Sequence, residues 1–350
     1  MMSLLGRFAL FCLLLCVAAP AWAGEQLVFA LVHKGADFTA GRTELLAVDA
    51  ASGKRHRLFD DQGLSLRLPQ HLYVFHFPVA GGNRIFARGV ERLRAAPGAI
   101  HELAVDGSNG FRKVCEAVGD EPPGEILVNG SGSRVGYLNR LGHRQLLFIH
   151  DVATGRLLSQ VDLTHRFLDC YAASSGWLND EAKLYFSLAT GDEHVTSDES
   201  YQRAGSYLLE EEGGRWSRLA PVPASAGELP PERERLLGTL AGEMVYELML
   251  PATGGKGGRF KVVRMRPDGG KVTAIGFSQG VDLYSGIEVC YKLSPSGRYL
   301  AAARLPISAS ARSWDIWLKD LKTGSERRLV TMPVQGLQGP FPGLVGWIDR

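Results

Sequence analysis

Six glycines, Gly53, Gly110, Gly155, Gly213, Gly269 and Gly324, follow one another at intervals of 57, 45, 58, 56 and 55 residues. Each lies at the turn of an apolar hairpin: "TELLAVDAASGKRHRLFDD", "AIHELAVDGSNGFRKVCEA", "QLLFIHDVATGRLLSQVDL", "GSYLLEEEGGRWSRLAP", "RFKVVRMRPDGGKVTAIGF" and "WDIWLKDLKTGSERRLVTM". The turns call for a positive φ, which glycine adopts without steric cost. A near-constant period of this length marks a repeat, whose units bury their apolar faces only by stacking on one another.

Between the hairpins lie further strand pairs. They turn around Gly82 in "YVFHFPVAGGNRIFAR", Gly132 in "EILVNGSGSRVGYLNR", Asn179-Asp180 in "GWLNDEAKLYFSLAT" and Gly297 in "LSPSGRYLAAAR". Each period therefore holds about four strands, the content of one propeller blade. One stretch competes: in "ERERLLGTLAGEMVYELML" Leu236, Leu240, Met244 and Leu248 recur at helical spacing. Gly238 and Gly242 weaken a helix there, and the repeat register calls for two strands. The chain also begins its apolar pattern with a lone strand, "EQLVFALVHK", and ends it with another, "LVGWIDR". Pairing of these two would complete a shared blade and hide both edges. The expectation is an all-β fold, one six-bladed β-propeller of four-stranded blades over residues 24–350, with seven blades as the competing count.

"LSPSGRYLAAAR" followed by "WDIWLKDLKTGSERRL" resembles the repeat of TolB-type propellers, in which a Ser-Pro-Asp-Gly turn precedes an apolar strand and a strand-Asp-x-x-Thr-Gly-strand hairpin follows. "IHDVATGRLLSQ" and "LAVDAASGKRHRL" match the second half of that repeat, and the other blades match by spacing. Ser296 stands where the family usually has Asp, a change of turn chemistry. The resemblance implies a β-propeller that serves as a binding scaffold.

Residues 1–23 carry a basic start, the apolar run "FALFCLLLCVAAPAWA" and small residues at Ala21 and Ala23, the pattern of a secretory leader cut after Ala23. No later segment has the length of an apolar membrane span, so a periplasmic or secreted protein is expected. Lys and Arg number 39 against 37 Asp and Glu, a balance that argues against nucleic-acid binding. Cys115, Cys170 and Cys290 lie beyond the leader, an odd number that leaves at least one free thiol.

Motifs of catalysis are fragmentary. "GFSQG" at residues 276–280 fits the Gly-x-Ser-x-Gly nucleophile elbow, yet the last histidine, His194, precedes Ser278, whereas the elbow's histidine follows its serine. "PATGGKGGRF" lacks the spacing of a phosphate loop. The acidic run at residues 190–200 offers Asp192, Glu193, Asp198 and Glu199 as calcium ligands without an EF-hand spacing, and a solvated loop is the simpler reading. Among the histidines, His71, His76, His165 and His194 show no spacing that fixes a metal. Asn129-Gly130-Ser131 is a glycosylation sequon by pattern.

In a propeller the loops entering the innermost strands meet at one mouth of the channel. By that rule His71, Tyr73, Arg166, Asp169, Tyr171, Asp282, Tyr284 and Glu288 are the candidate binding residues. The function expected is that of an exported, monomeric, non-catalytic scaffold that holds a protein or peptide partner in the cell envelope, with no cofactor. The alternative is a propeller lyase or hydrolase acting on a sugar or lactone through a channel metal.

Overall fold

The computed structural model describes residues 24–34, 40–60, 79–80, 84–89, 98–108, 110–120, 125–167, 170–178, 183–190, 204–212, 214–224, 233–250, 259–278, 281–282, 291–304, 313–333 and 341–349. The leader and the loop at residues 191–200 lie outside them. Among the described residues no helix is long and apolar enough to cross a membrane.

The chain forms six antiparallel sheets of four strands arranged in a ring. Blade 1 runs outward from Phe341–Asp349 through Glu25–Lys34 and Ala40–Asp49 to Arg55–Asp60. Blade 2 comprises Val79–Ala80, Arg84–Gly89, Ala99–Leu103 and Phe111–Glu116. Blade 3 comprises Ile126–Val128, Arg134–Leu141, Arg144–Asp151 and Leu157–Asp162. Blade 4 comprises Cys170–Trp177, Lys183–Thr190, Gly205–Glu210 and Trp216–Arg218. Blade 5 comprises Arg233–Leu240, Glu243–Leu250, Arg259–Met265 and Thr273–Ala274, with Val281–Asp282 pairing onto its third strand. Blade 6 comprises Tyr291–Leu293, Tyr299–Arg304, Ser313–Asp320 and Glu326–Pro333. The stretch with competing helical spacing is thus a strand hairpin, turned at Ala241 and Gly242 with φ of 51° and 80°.

Apolar runs explain why the sheets stack instead of facing water on one side. In Glu25–Lys34, Leu27, Phe29 and Leu31 enter the core shared with blade 6, while Val28 and Ala30 enter the core shared with blade 2. A strand apolar on both alternating faces must be covered on both. Six such cores result, one between each pair of neighbouring blades.

Closure is made by backbone pairing. Trp347 stands opposite Leu27 and Ile348 opposite Gln26 in an antiparallel ladder between the two ends of the chain. The innermost strand of blade 6 lies against Phe341–Asp349, which in turn meets Val79–Ala80 of blade 2. The Ser296 N–H and Oγ donate to the Glu25 carboxylate at 3.0 and 2.7 Å, so the serine in place of the usual aspartate ties blade 6 to blade 1.

Three outer hairpins share one turn. Asp49, Asp151 and Asp320 each accept at Oδ1 from the backbone N–H of the Ser or Thr three residues on, and each backbone oxygen accepts from the next glycine N–H. Gly53, Gly155 and Gly324 sit at φ of 73°, 72° and 74°. The Thr154 hydroxyl and N–H hold the Asp151 carboxyl below its ordinary value. In blade 2 the positive φ falls on Gly107, at 83°, instead of Gly110. Asp106 accepts there from the Ser108 N–H at 2.8 Å.

Candidate functional site

Innermost strands of a propeller line its channel, so polar side chains on them mark its chemistry. Glu125 directly precedes Ile126–Val128 of blade 3, and its carboxylate accepts from Ser175 Oγ of blade 4 at 2.5 Å. Burial pushes the Glu125 carboxyl above its ordinary value; the Ser175 hydroxyl and the charges of Arg235 and Lys292 act in the opposite sense. Arg235 lies on the innermost strand of blade 5, directly opposite buried Glu247 in the ladder. Lys292 is the central residue of the innermost strand of blade 6, and its carbonyl accepts from Trp347 Nε1–H at 3.3 Å. Four successive blades therefore bring a carboxylate, a hydroxyl and two cations toward one side of the channel.

A cavity of about 240 Å³ runs along the innermost strands of blades 5, 6 and 1. Arg235 and Lys292 contribute its charge; Leu237, Tyr291, Pro295 and Trp347 contribute apolar and aromatic wall. Among the described residues its lining includes no Asp or Glu. A guanidinium and an ammonium beside aromatic rings suit a ligand that carries both an acidic group and an apolar side chain.

Arg166 lies in the short helix Thr164–Phe167, which follows blade 3. Its guanidinium stacks over the rings of Tyr207 and Trp216, 5.6 and 5.7 Å from their centroids, on the two outer strands of blade 4. The Tyr171 backbone pairs with Ala189 in blade 4, and the Asp282 backbone pairs with Arg259 on the third strand of blade 5. His71, Tyr73, Asp169, Tyr284 and Glu288 lie outside the described residues. The sequence-based candidates lie mostly in loops, whereas the cavity's cations, Arg235 and Lys292, stand on innermost strands, where no local pattern sets them apart from surface cations.

Other motifs resolve into structure. Ser278 donates its N–H and hydroxyl to the two oxygens of Glu326 on blade 6, at 2.7 and 2.9 Å, and lies four residues after the two-residue strand Thr273–Ala274. Asn129 is 1% exposed and its amide donates to Ser131 and Ser133, so the sequon's asparagine is buried while Gly130 and Ser131 after it are exposed. His150 contacts the Gly155 carbonyl at 3.0 Å and the Tyr137 hydroxyl at 3.3 Å. Among the described residues no three His, Cys, Asp or Glu side chains cluster as a metal site.

The geometry can be set beside solved structures. TolB from Acinetobacter baumannii superposes with a TM-score of 0.53 at 14% identity, over 92% of this chain and 66% of that one. The six-bladed β-propeller is a fold that this chain shares with that TolB. This chain thus spans just under two thirds of that TolB. A nidogen/laminin complex matches at a TM-score of 0.51 and 11% identity, over 93% of this chain and 98% of that one. At such identities the likeness concerns the fold. No protein-family model matches the sequence, and no curated protein matches it.

Proposed function

We propose that this chain is an exported, non-catalytic propeller that holds a protein or peptide partner in the cell envelope, gripping it at the channel wall of blades 5, 6 and 1. The observation that carries this reading is the cavity in which Arg235 and Lys292 stand beside Tyr291 and Trp347. A cationic pair anchors an acidic group, and the aromatic wall takes the apolar residue next to it. The leader pattern of residues 1–23 supports export, and the TolB-type fold supports a scaffold.

The test is capture from envelope extract by the wild-type protein and by Lys292→Glu, with the melting temperature of each as the control for folding. A partner retained by the wild type and lost with the folded variant supports the proposal. Equal capture by both, or a purified protein that holds a stoichiometric metal and turns over a lactone, overturns it.

A further inference from the structure

The outermost strand of every propeller blade has one unpaired edge, which is a template for another strand unless it is short, charged or interrupted. Blades 4 and 5 cut theirs to Trp216–Arg218 and Thr273–Ala274. Blades 1, 2 and 6 place two basic residues on theirs: Arg55 and Arg57, Arg112 and Lys113, Arg327 and Arg328. Blade 3 does neither. Its outermost strand, Leu157–Asp162, runs five residues without a charge, and Leu157 and Leu158 are 42% and 39% exposed. A bulge at Leu158 is no distinction, because the outer ladders of blades 1, 2 and 6 are bulged as well.

The charges that bound this edge are placed symmetrically. Arg156 and Asp162 each stand three residues from Ser159. An antiparallel copy of the same strand, related by a two-fold axis at Ser159, sets Arg156 against the partner's Asp162, Leu157 against the partner's Val161 and Leu158 against the partner's Gln160. Both ends then carry an opposite-charge cross-strand pair, and the centre carries none to repel. An isologous interface demands a surface that is its own complement, and this strand is one. We infer that a second copy of this chain docks here, joining the two third blades edge to edge into one continuous sheet, in place of the monomer expected from sequence. Blades 1 and 2 carry a cation at or beside the centre of theirs, Arg57 and Lys113, and blade 6 ends its own in Pro333, which lacks the N–H a further strand would pair with, so these edges are unsuited to the same pairing. One strand a side is a small interface, so the dimer is weak, with a Kd on the order of 10 µM.

Sedimentation equilibrium of the chain from about 1 to 200 µM reads the association directly, a range that brackets that Kd. The average mass should rise from one chain toward two. Gln160→Lys puts a cation on the exposed edge and should keep the protein monomeric throughout. Arg156→Glu faces each Asp162 with a like charge and should weaken the dimer about tenfold. Both positions are exposed, so thermal unfolding of the variants should match the wild type and exclude misfolding as the cause. A wild type that stays monomeric to the top of the range, or a dimer indifferent to both substitutions, overturns the inference.

Discussion

Ring closure can be broken at one side chain, Trp347. It is 5% exposed in the core between blades 1 and 6, stacks on Tyr299 with centroids 6.0 Å apart and planes at 15°, and donates Nε1–H to the Lys292 carbonyl. Trp347→Ala removes the buried ring, and truncations of this kind cost about 3–5 kcal/mol. A chain of this length unfolds with an entropy of about 0.6–0.7 kcal/mol/K, so the melting temperature should fall by about 5–8 °C. Trp347→Phe keeps an aromatic stack and gives up the hydrogen bond, a loss of about 1 kcal/mol, and should fall by about 2 °C. Deleting residues 341–350 also unpairs Glu25–Lys34 along its inner edge and should leave the protein insoluble. Differential scanning calorimetry of the three variants against the wild type checks the series. A soluble truncation melting with the wild type would refute the closure. A Trp347→Ala shift of about 1 °C or less would refute the energetic account of it.

Gly53→Ala and Gly155→Ala share a positive φ, but only the second drives its Cβ into the Val114 carbonyl oxygen of blade 2. The first should cost about 1–2 kcal/mol in denaturant titrations and the second clearly more; equal costs would contradict the close approach. Ser296→Asp sets a carboxylate against Glu25 and should destabilise by about 1–3 kcal/mol, while a neutral result would deny the tie between blades 6 and 1. Because burial raises the Glu125 pKa in the folded state, its ionisation opposes folding as pH rises through that value, whereas below the ordinary 4.5 both states are protonated. Glu125→Gln should therefore stabilise at pH 7 and lose that gain below about pH 4, and a variant less stable at pH 7 would reverse the sign assigned. The buried Cys115 thiol, pushed up to about 12, should resist a thiol reagent at pH 8 in a Cys170→Ser, Cys290→Ser background and react once denatured; labelling of the native protein would contradict its burial.

The fold was legible because its determinants are local. A strand alternates faces every residue, and a turn such as Asp151-Val152-Ala153-Thr154-Gly155 closes on its own side chain, so hairpins, their period and the two lone end strands could all be read along the chain. Periodicity also weighed correctly against the helical spacing at Leu236, Leu240 and Met244, since glycines at turns outrank apolar spacing. The channel wall was not legible. Glu125 meets Ser175 across 50 residues of chain, and Arg235 and Lys292 join them from two further blades. Nothing in the local pattern around Lys292 distinguishes a channel cation from a surface one; the radial convergence of innermost strands does that. The same holds for the blade 3 edge, where "LLSQVD" is one apolar strand among many until the ring makes it outermost and leaves its outer edge without a strand partner among the described residues. Sequence by itself determined which segments are strands and how they turn, because those interactions span a few residues. Which side chains share the channel, and which edges face outward, was decided only when six blades closed into a ring, because that placement depends on contacts between residues that no period relates.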